Sequence, residues 1–208
     1  LSAYKATQIV QVSEELLQDS AFDIEGLVNE AMGQNLGVLA NTAYFVGDGS
    51  GKPTGITTQT TAGKTGALGQ TTSIIADDLI DLFHSVLPGY RANGSFVAND
   101  STIKAIRKLK LDDDQYLWQP GLAAGQPDTI LGRPVYADPD VPVMAASAKS
   151  VLFGDFKGYW IRDAGAVELR RLDERYADVG LVGFRGYLRT DGVLVDTAAV
   201  KHYANAAT

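Results

Sequence analysis

The sequence predicts an α+β protein, and three observations predict it. Apolar residues recur at three- and four-residue steps through much of the first half, the spacing of amphipathic helices. Beyond about residue 133, short β-branched and aromatic runs alternate with turn residues, as strands do. No fixed-period repeat or low-complexity tail disturbs this order of helices first and sheet later. The 208 residues suffice for one large core or two small ones. A hydrophobic content of 45% with 21% charged residues is ordinary globular composition. The absence of cysteine excludes disulfides, thiolate metal sites and cysteine nucleophiles. No apolar run approaches the ~18 residues that span a bilayer. A net charge of -7 argues against a protein whose main task is gripping phosphate backbone. The chain opens at Leu1 with neither Met nor a signal-like segment, and is expected to be part of something longer.

In chain order, Ala6 to Val12 reads as a strand. Ser13 is a plausible N-cap, with Glu14 and Glu15 in the first turn where the helix dipole favours acids. Ser20 offers a second cap, with Asp23 three residues on. Phe22, Ile24, Leu27, Val28, Ala31, Val38 and Leu39 then form the inward stripe of a helix of about six turns, residues 22–45. Gly26, Gly33 and Gly37 each weaken it by roughly 1 kcal/mol relative to Ala, so it is expected to lie as a spine against a sheet. Residues 57–73, rich in Thr and Gly, read as a connector, the best candidate for a subdomain boundary or a mobile loop. Residues 74–83 have helical period and end before Pro88-Gly89, and Ser95 to Ala98 reads as a short strand. Asn99 or Asp100 caps a helix over 102–110 with Ile103, Ile106 and Leu109 inward. Residues 133–136, 150–153 and 159–161 look extended. Over 179–190, Val182, Phe184 and Leu188 share one face, and Arg185, Tyr187 and Arg189 the other. Asp191-Gly192 reads as a hairpin turn, after which Val193 to Val200 returns antiparallel.

No chemical site assembles from these residues. The run Phe45 to Ile56 looks like a nucleotide-binding loop, but the spacing fails. Counting back from Gly51-Lys52 places Val46 at the first glycine, and Pro53 at the hydroxyl position. A helix, not a strand, precedes it, so the run reads as a glycine-rich stop. His84 and His202 read as structural or surface histidines. Asp112-Asp113-Asp114 lacks the ligand spacing of a calcium loop and reads as a solvated turn. Gly49-Ser50-Gly51 is no nucleophile elbow. Trp118 and Trp160 read as packing or interface residues. No catalytic, cofactor-binding or metal residue is assigned, and no cofactor is expected.

Four segments carry a resemblance. They are Val12 to Ser20; Gly47 to Ile56; Leu131-Gly132-Arg133-Pro134-Val135 with Asp138 to Pro142; and Phe153-Gly154-Asp155-Phe156 with Tyr159 and Gly183 to Gly192. In this order the chain resembles the major capsid proteins of tailed bacteriophages, the Hong Kong 97-like shell fold. The resemblance implies a peripheral domain of residues 1–71 and about 166–190, with the spine helix on a long sheet. Residues 72–165 and 191–208 would form an α+β axial domain. Tyr116 to Pro120 and the glycine-rich 121–126 would point to the axis of a pentamer or hexamer. There Asp114-Gln115 replaces the Gly-Arg frequent in the family.

The family's N-terminal arm and extended loop would precede residue 1, so a truncated or proteolysed chain is expected. Such a chain should be soluble and poor at closing shells. The family's cross-linking asparagine falls at Gly180, and no isopeptide bond is expected. The function implied is structural, not enzymatic: a head subunit of a phage or prophage, in the virion and, during assembly, the host cytoplasm. Its partners would be copies of itself, the portal, scaffold, protease and decoration proteins, and enclosed DNA bound without sequence preference, with no membrane. The alternatives are an encapsulin-like nanocompartment shell and a nucleotide-binding enzyme using residues 47–55.

Overall fold

The computed structural model describes residues 2–110 and 128–208. In chain order its elements are β1 (Tyr4–Ser13), α1 (Glu14–Asp19), α2 (Ile24–Val46), α3 (Ile56–Gln59), β2 (Thr61–Thr65), α4 (Ala76–Ser85), α5 (Pro88–Arg91), β3 (Ser95–Ala98), α6 (Asp100–Arg107), β4 (Thr129–Ile130), β5 (Arg133–Ala137), β6 (Lys149–Gly154), β7 (Tyr159–Asp163), β8 (Glu168–Leu172), β9 (Leu181–Leu194) and β10 (Val200–Ala204). They form two compact units, Leu1–Gly55 with Ile161–Val193 and Ile56–Trp160 with Leu194–Thr208.

In the first unit β9 is the central strand. It pairs antiparallel with β1 from Tyr4↔Thr190 to Ser13↔Leu181, and with β8 from Glu168↔Tyr187 to Leu172↔Gly183. Ser13 starts α1 as expected, its Oγ accepting from Leu16 N–H at 3.3 Å. Ser20 does not cap the spine helix α2. It ends α1 and accepts from Phe22 N–H, while Asp23 takes the cap and accepts from Gly26 N–H at 2.8 Å.

The inward stripe of α2 also differs from the one expected. Met32, Leu36 and Ala40 are buried, and Ile24 and Val28 pack with Val12, Val182 and Phe184. These five residues lie at strict four-residue steps, one ridge of the helix surface. Phe22, Leu27, Ala31, Val38 and Leu39 are exposed instead. The reason lies on β9: a Cβ at Gly186 would stand 3.0 Å from Met32 Cε and 3.2 Å from Leu36 Cδ1. The bare glycine is the slot that receives the ridge.

The second unit is built on a six-stranded sheet ordered β2-β10-β6-β3-β5-β4. Leu79 and Leu82 of α4 and Ile103 and Ile106 of α6 pack on Phe96, Phe153 and Tyr203. Phe153 is central, with its ring 4.3 Å from Phe96 and 5.1 Å from Phe83. Asn99 caps α6 by accepting from Ser101 N–H at 3.1 Å. The stretch 57–73 is no bare connector. It supplies α3 and then β2, which runs parallel to β10 with Lys201↔Thr61. Small residues are required there: a Cβ on Gly63 would lie 3.0 Å from Leu82 Cδ1. The resemblance implied a peripheral domain reaching residue 71; the compact units divide at Gly55.

The expected hairpin at Asp191-Gly192 is absent, and β9 runs through it for 14 residues. Asp191 spends its carboxylate on the N–H groups of Ser2 and Gly192. Beyond it, Leu194 N–H donates to Gln59 Oε1 and Val195 N–H to Gly158 O. The chain turns at Asp196 instead, where the carboxylate accepts from Ala198 N–H at 2.9 Å. β10 then pairs with β6 and β2 rather than returning along β9.

Candidate functional site

The glycine-rich run closes on itself. Gly47 N–H reaches Ala43 O at 2.9 Å, Gly55 N–H reaches Gly47 O at 2.9 Å, and Asp48 bridges Thr54. Gly49 and Gly51 supply left-handed backbone, φ 79° and 69°. Gly47 is not left-handed, but a Cβ there would overlap Pro53 O. Ser50 N–H donates to Asp48 Oδ1 at 2.9 Å, and this bond holds the Asp48 carboxyl below its usual range. Lys52 pairs with Asp48 at 3.5 Å, an exposed contact of small energetic weight. The N–H groups of Gly47, Ser50 and Gly55 thus point at the protein's own oxygens. The run follows a helix, where a phosphate loop needs a strand. Its geometry is that of a clasp.

The two histidines have separate partners. His84 is exposed and accepts at Nδ1 from Arg91 Nη1 at 2.9 Å. His202 is buried on β10 with Nδ1 3.0 Å from Thr60 Oγ1. Burial, aided by Lys149 and Lys201, pushes its pKa down to about 4. Among the described residues no group of three His, Cys, Asp or Glu is placed to hold a metal ion. Asp112 to Asp114, Tyr116 to Pro120 with Trp118, and residues 121–126 lie outside the described residues. Trp160 is exposed on β7. Gly180 adopts left-handed backbone, φ 65°, and its carbonyl accepts from Glu14 N–H. The position that would carry a cross-linking amide therefore has no side chain.

One buried acid escaped the sequence reading. Asp78 accepts from Ile75 N–H at 3.2 Å and from Tyr203 OH at 3.4 Å, with Lys64 Nζ at 3.8 Å. Burial and this carboxylate push the Tyr203 phenol up to about 12. The acid at the third helical position after Ile75 was the available signal, since that position reaches back to cap the helix start. Its role is to tie α4 to β10.

What the first unit offers is contact surface. An apolar cleft of about 320 Å³ opens between β1, the end of α2 and the clasp, walled by Tyr4, Leu39, Ala43, Val46 and Pro53. Thr190 at its wall is fixed by Tyr44 OH and by Asp163 Oδ1, the latter at 2.7 Å. Beside it, Val38 and Leu39 continue the exposed apolar line of α2. Exposed apolar area of this kind on a globular fold marks association.

The chain matches the phage capsid family over residues 1–205. Among curated proteins no similar sequence is found. Among solved structures, the capsid of a native GTA particle is 32% identical, with a TM-score of 0.89 over 98% of this chain and 73% of that chain. The capsid of the empty GTA particle gives 33% identity and 0.89, over 98% of this chain and 74% of that chain. Gordonia phage Cozz shares the fold at 17% identity with a TM-score of 0.74, over 99% of this chain and 71% of that chain.

Proposed function

We propose a detailed role from a settled premise: this chain belongs to the phage capsid family and is a major capsid protein, a structural subunit of the shell. The observation that carries the reading is the match to a GTA particle capsid across 98% of the chain. Subunits of such a shell associate with copies of themselves. The capsomers are pentamers and hexamers of an icosahedral shell that encloses DNA without sequence-specific contacts. The first unit is the peripheral domain, the second the axial domain, and residues 56–71 go with the second. Assembly takes place in the bacterial cytoplasm with the portal, scaffold, protease and decoration proteins. The chain catalyses nothing. Its mechanism is geometric: weak contacts repeat around a closed symmetric assembly and add up. The exposed line of α2 and the neighbouring cleft supply apolar contact area for it.

Negative-stain imaging of the purified full-length protein tests this. Closed particles with five- and sixfold clusters are expected, together with a single monomer band on denaturing gels, because Gly180 offers no amide for a Lys–Asn bond. A protein that stays monomeric under all assembly conditions, or a covalent ladder through position 180, would overturn the corresponding part.

A further inference from the structure

We propose that the uncovered face of the first unit's sheet docks an acidic ridge of a second copy of this chain, an inference that rests on the shell reading above. One face of that sheet is occupied by α2. The alternate positions point the other way: Lys5 and Ile9 on β1, Arg185, Tyr187 and Arg189 on β9, and Arg170 on β8. The register sets Lys5 directly opposite Arg189, and Arg170 directly opposite Arg185. Like charges directly opposite one another destabilise a sheet. Here the arrangement occurs twice on one face.

Arg170 has a local carboxylate, Glu168 at 3.1 Å. Among the described residues, Lys5, Arg185 and Arg189 have no salt-bridge partner. Two of them rest on an aromatic ring instead, Lys5 Nζ at 4.6 Å and Arg185 at 5.4 Å from the Tyr187 centroid. The pattern continues at Arg175, 5.4 Å over the Tyr176 ring, which lies against Gly183. On a chain of net charge -7 this is a cationic and aromatic surface, on which the Glu168 carboxylate is shared among Tyr187, Arg170 and Arg189. An approaching set of carboxylates relieves both repulsions at once.

The same unit carries a complementary surface. Glu14, Glu15 and Asp19 of α1 are exposed, and among the described residues none is in a salt bridge. Between and beside them stand the apolar side chains of Leu16 and Phe22, 50% and 82% exposed. Glu25 is excluded, because Arg171 already holds it at 3.1 Å. Two unlike patches on one unit produce a head-to-tail contact, the kind that closes rings. Nucleic-acid phosphate would match the charge of the sheet face. The ridge matches its charge and its apolar and aromatic character together, and a shell presents it repeatedly at high effective concentration.

The test uses the full-length protein in four forms: wild type, Lys5→Glu with Arg189→Glu, Glu14→Lys with Glu15→Lys, and all four changes combined. Particle yield is measured by sedimentation velocity, nucleic-acid content by absorbance ratio, and folding by thermal melts. Each charge-reversed pair should lower particle yield on the order of tenfold with melting little changed. The combined variant should recover most of the loss. Reversed pairs that assemble like wild type overturn the docking surface, and lowered nucleic-acid content in those particles would reassign it to phosphate. Loss of assembly without recovery in the combined variant overturns the acidic ridge as occupant. If the wild type itself forms no particles, the shell reading fails and takes this inference with it.

Discussion

The two units of the chain keep their apolar residues differently. Among the described residues, the second unit closes a core of twelve buried residues around Phe153, from Ile74 to Tyr203. Among the described residues, the first clusters Val12, Met32, Val182 and Phe184, buries Leu36 and Ala40 beside them, and leaves Leu27, Val38 and Leu39 of its main helix in solvent. Hydrophobic burial is the dominant stabilising term, so a unit that withholds apolar area has used less of its sequence to hold itself together. The described residues of the second unit hold the larger core, although Leu68, Leu87 and Trp160 stay exposed there too. On the shell reading proposed above, neighbours complete the first.

That contrast makes its sharpest prediction in the cores. Phe153→Ala should cost about 3–5 kcal/mol, and Met32→Ala about 2–3 kcal/mol, by chemical denaturation. A larger loss at Met32 would show that the small cluster, not the large one, holds the chain.

Acid should separate the units next. His202 is held at about 4 against an ordinary value of 6.5, so between those values the unfolded chain binds a proton that the folded one refuses. Stability from this group is therefore full above about pH 6.5 and falls as the pH drops towards 4. Native-state hydrogen exchange should show protection declining over that window in the second unit, and His202→Gln should flatten the decline. An equal decline in the first unit, unchanged by the substitution, would remove His202 as the cause.

The smallest effect on stability should come from the surface. Leu39→Asp should alter folding by no more than about 0.5 kcal/mol, because the side chain is half exposed. It should nonetheless reduce particle formation by the full-length protein. A large loss of stability would place Leu39 in the core and weaken the contrast between the units.

What the sequence revealed was whatever it encodes locally. The bounds of α2, the caps at Ser13 and Asn99, and the alternation of Val182, Phe184 and Leu188 follow from spacing within a few residues. Apart from the cap of α2, which Asp23 takes in place of Ser20, the failures are non-local. The inward ridge of α2 depends on the bare backbone at Gly186, and no count of apolar residues on the helix can locate that slot. Asp191-Gly192 has the composition of a hairpin, yet the carboxylate is claimed by Ser2 and the strand continues. Spacing alone removed the glycine-rich run as a phosphate cradle, since that judgement needs only the order of neighbouring residues. The cationic sheet face was visible only as alternating arginines. That Arg189 meets Lys5 and Arg185 meets Arg170 is a property of strand register, which the sequence does not print.

The pairing of Tyr4 with Thr190 also sets a schedule. β1 and the spine helix leave the ribosome well before β9, the strand that receives them, which follows the stretch Ile56–Trp160 of the second unit. Until then the ridge of Met32, Leu36 and Ala40 has no sheet to cover. The second unit waits as well, because β10 sits between β2 and β6. Neither unit can finish before its late strand has emerged. Pairings this distant are slow to form and leave apolar surface open while they do. Emergence of β10 therefore acts as a release point, and a subunit presents its finished contact surfaces only once that strand is in place.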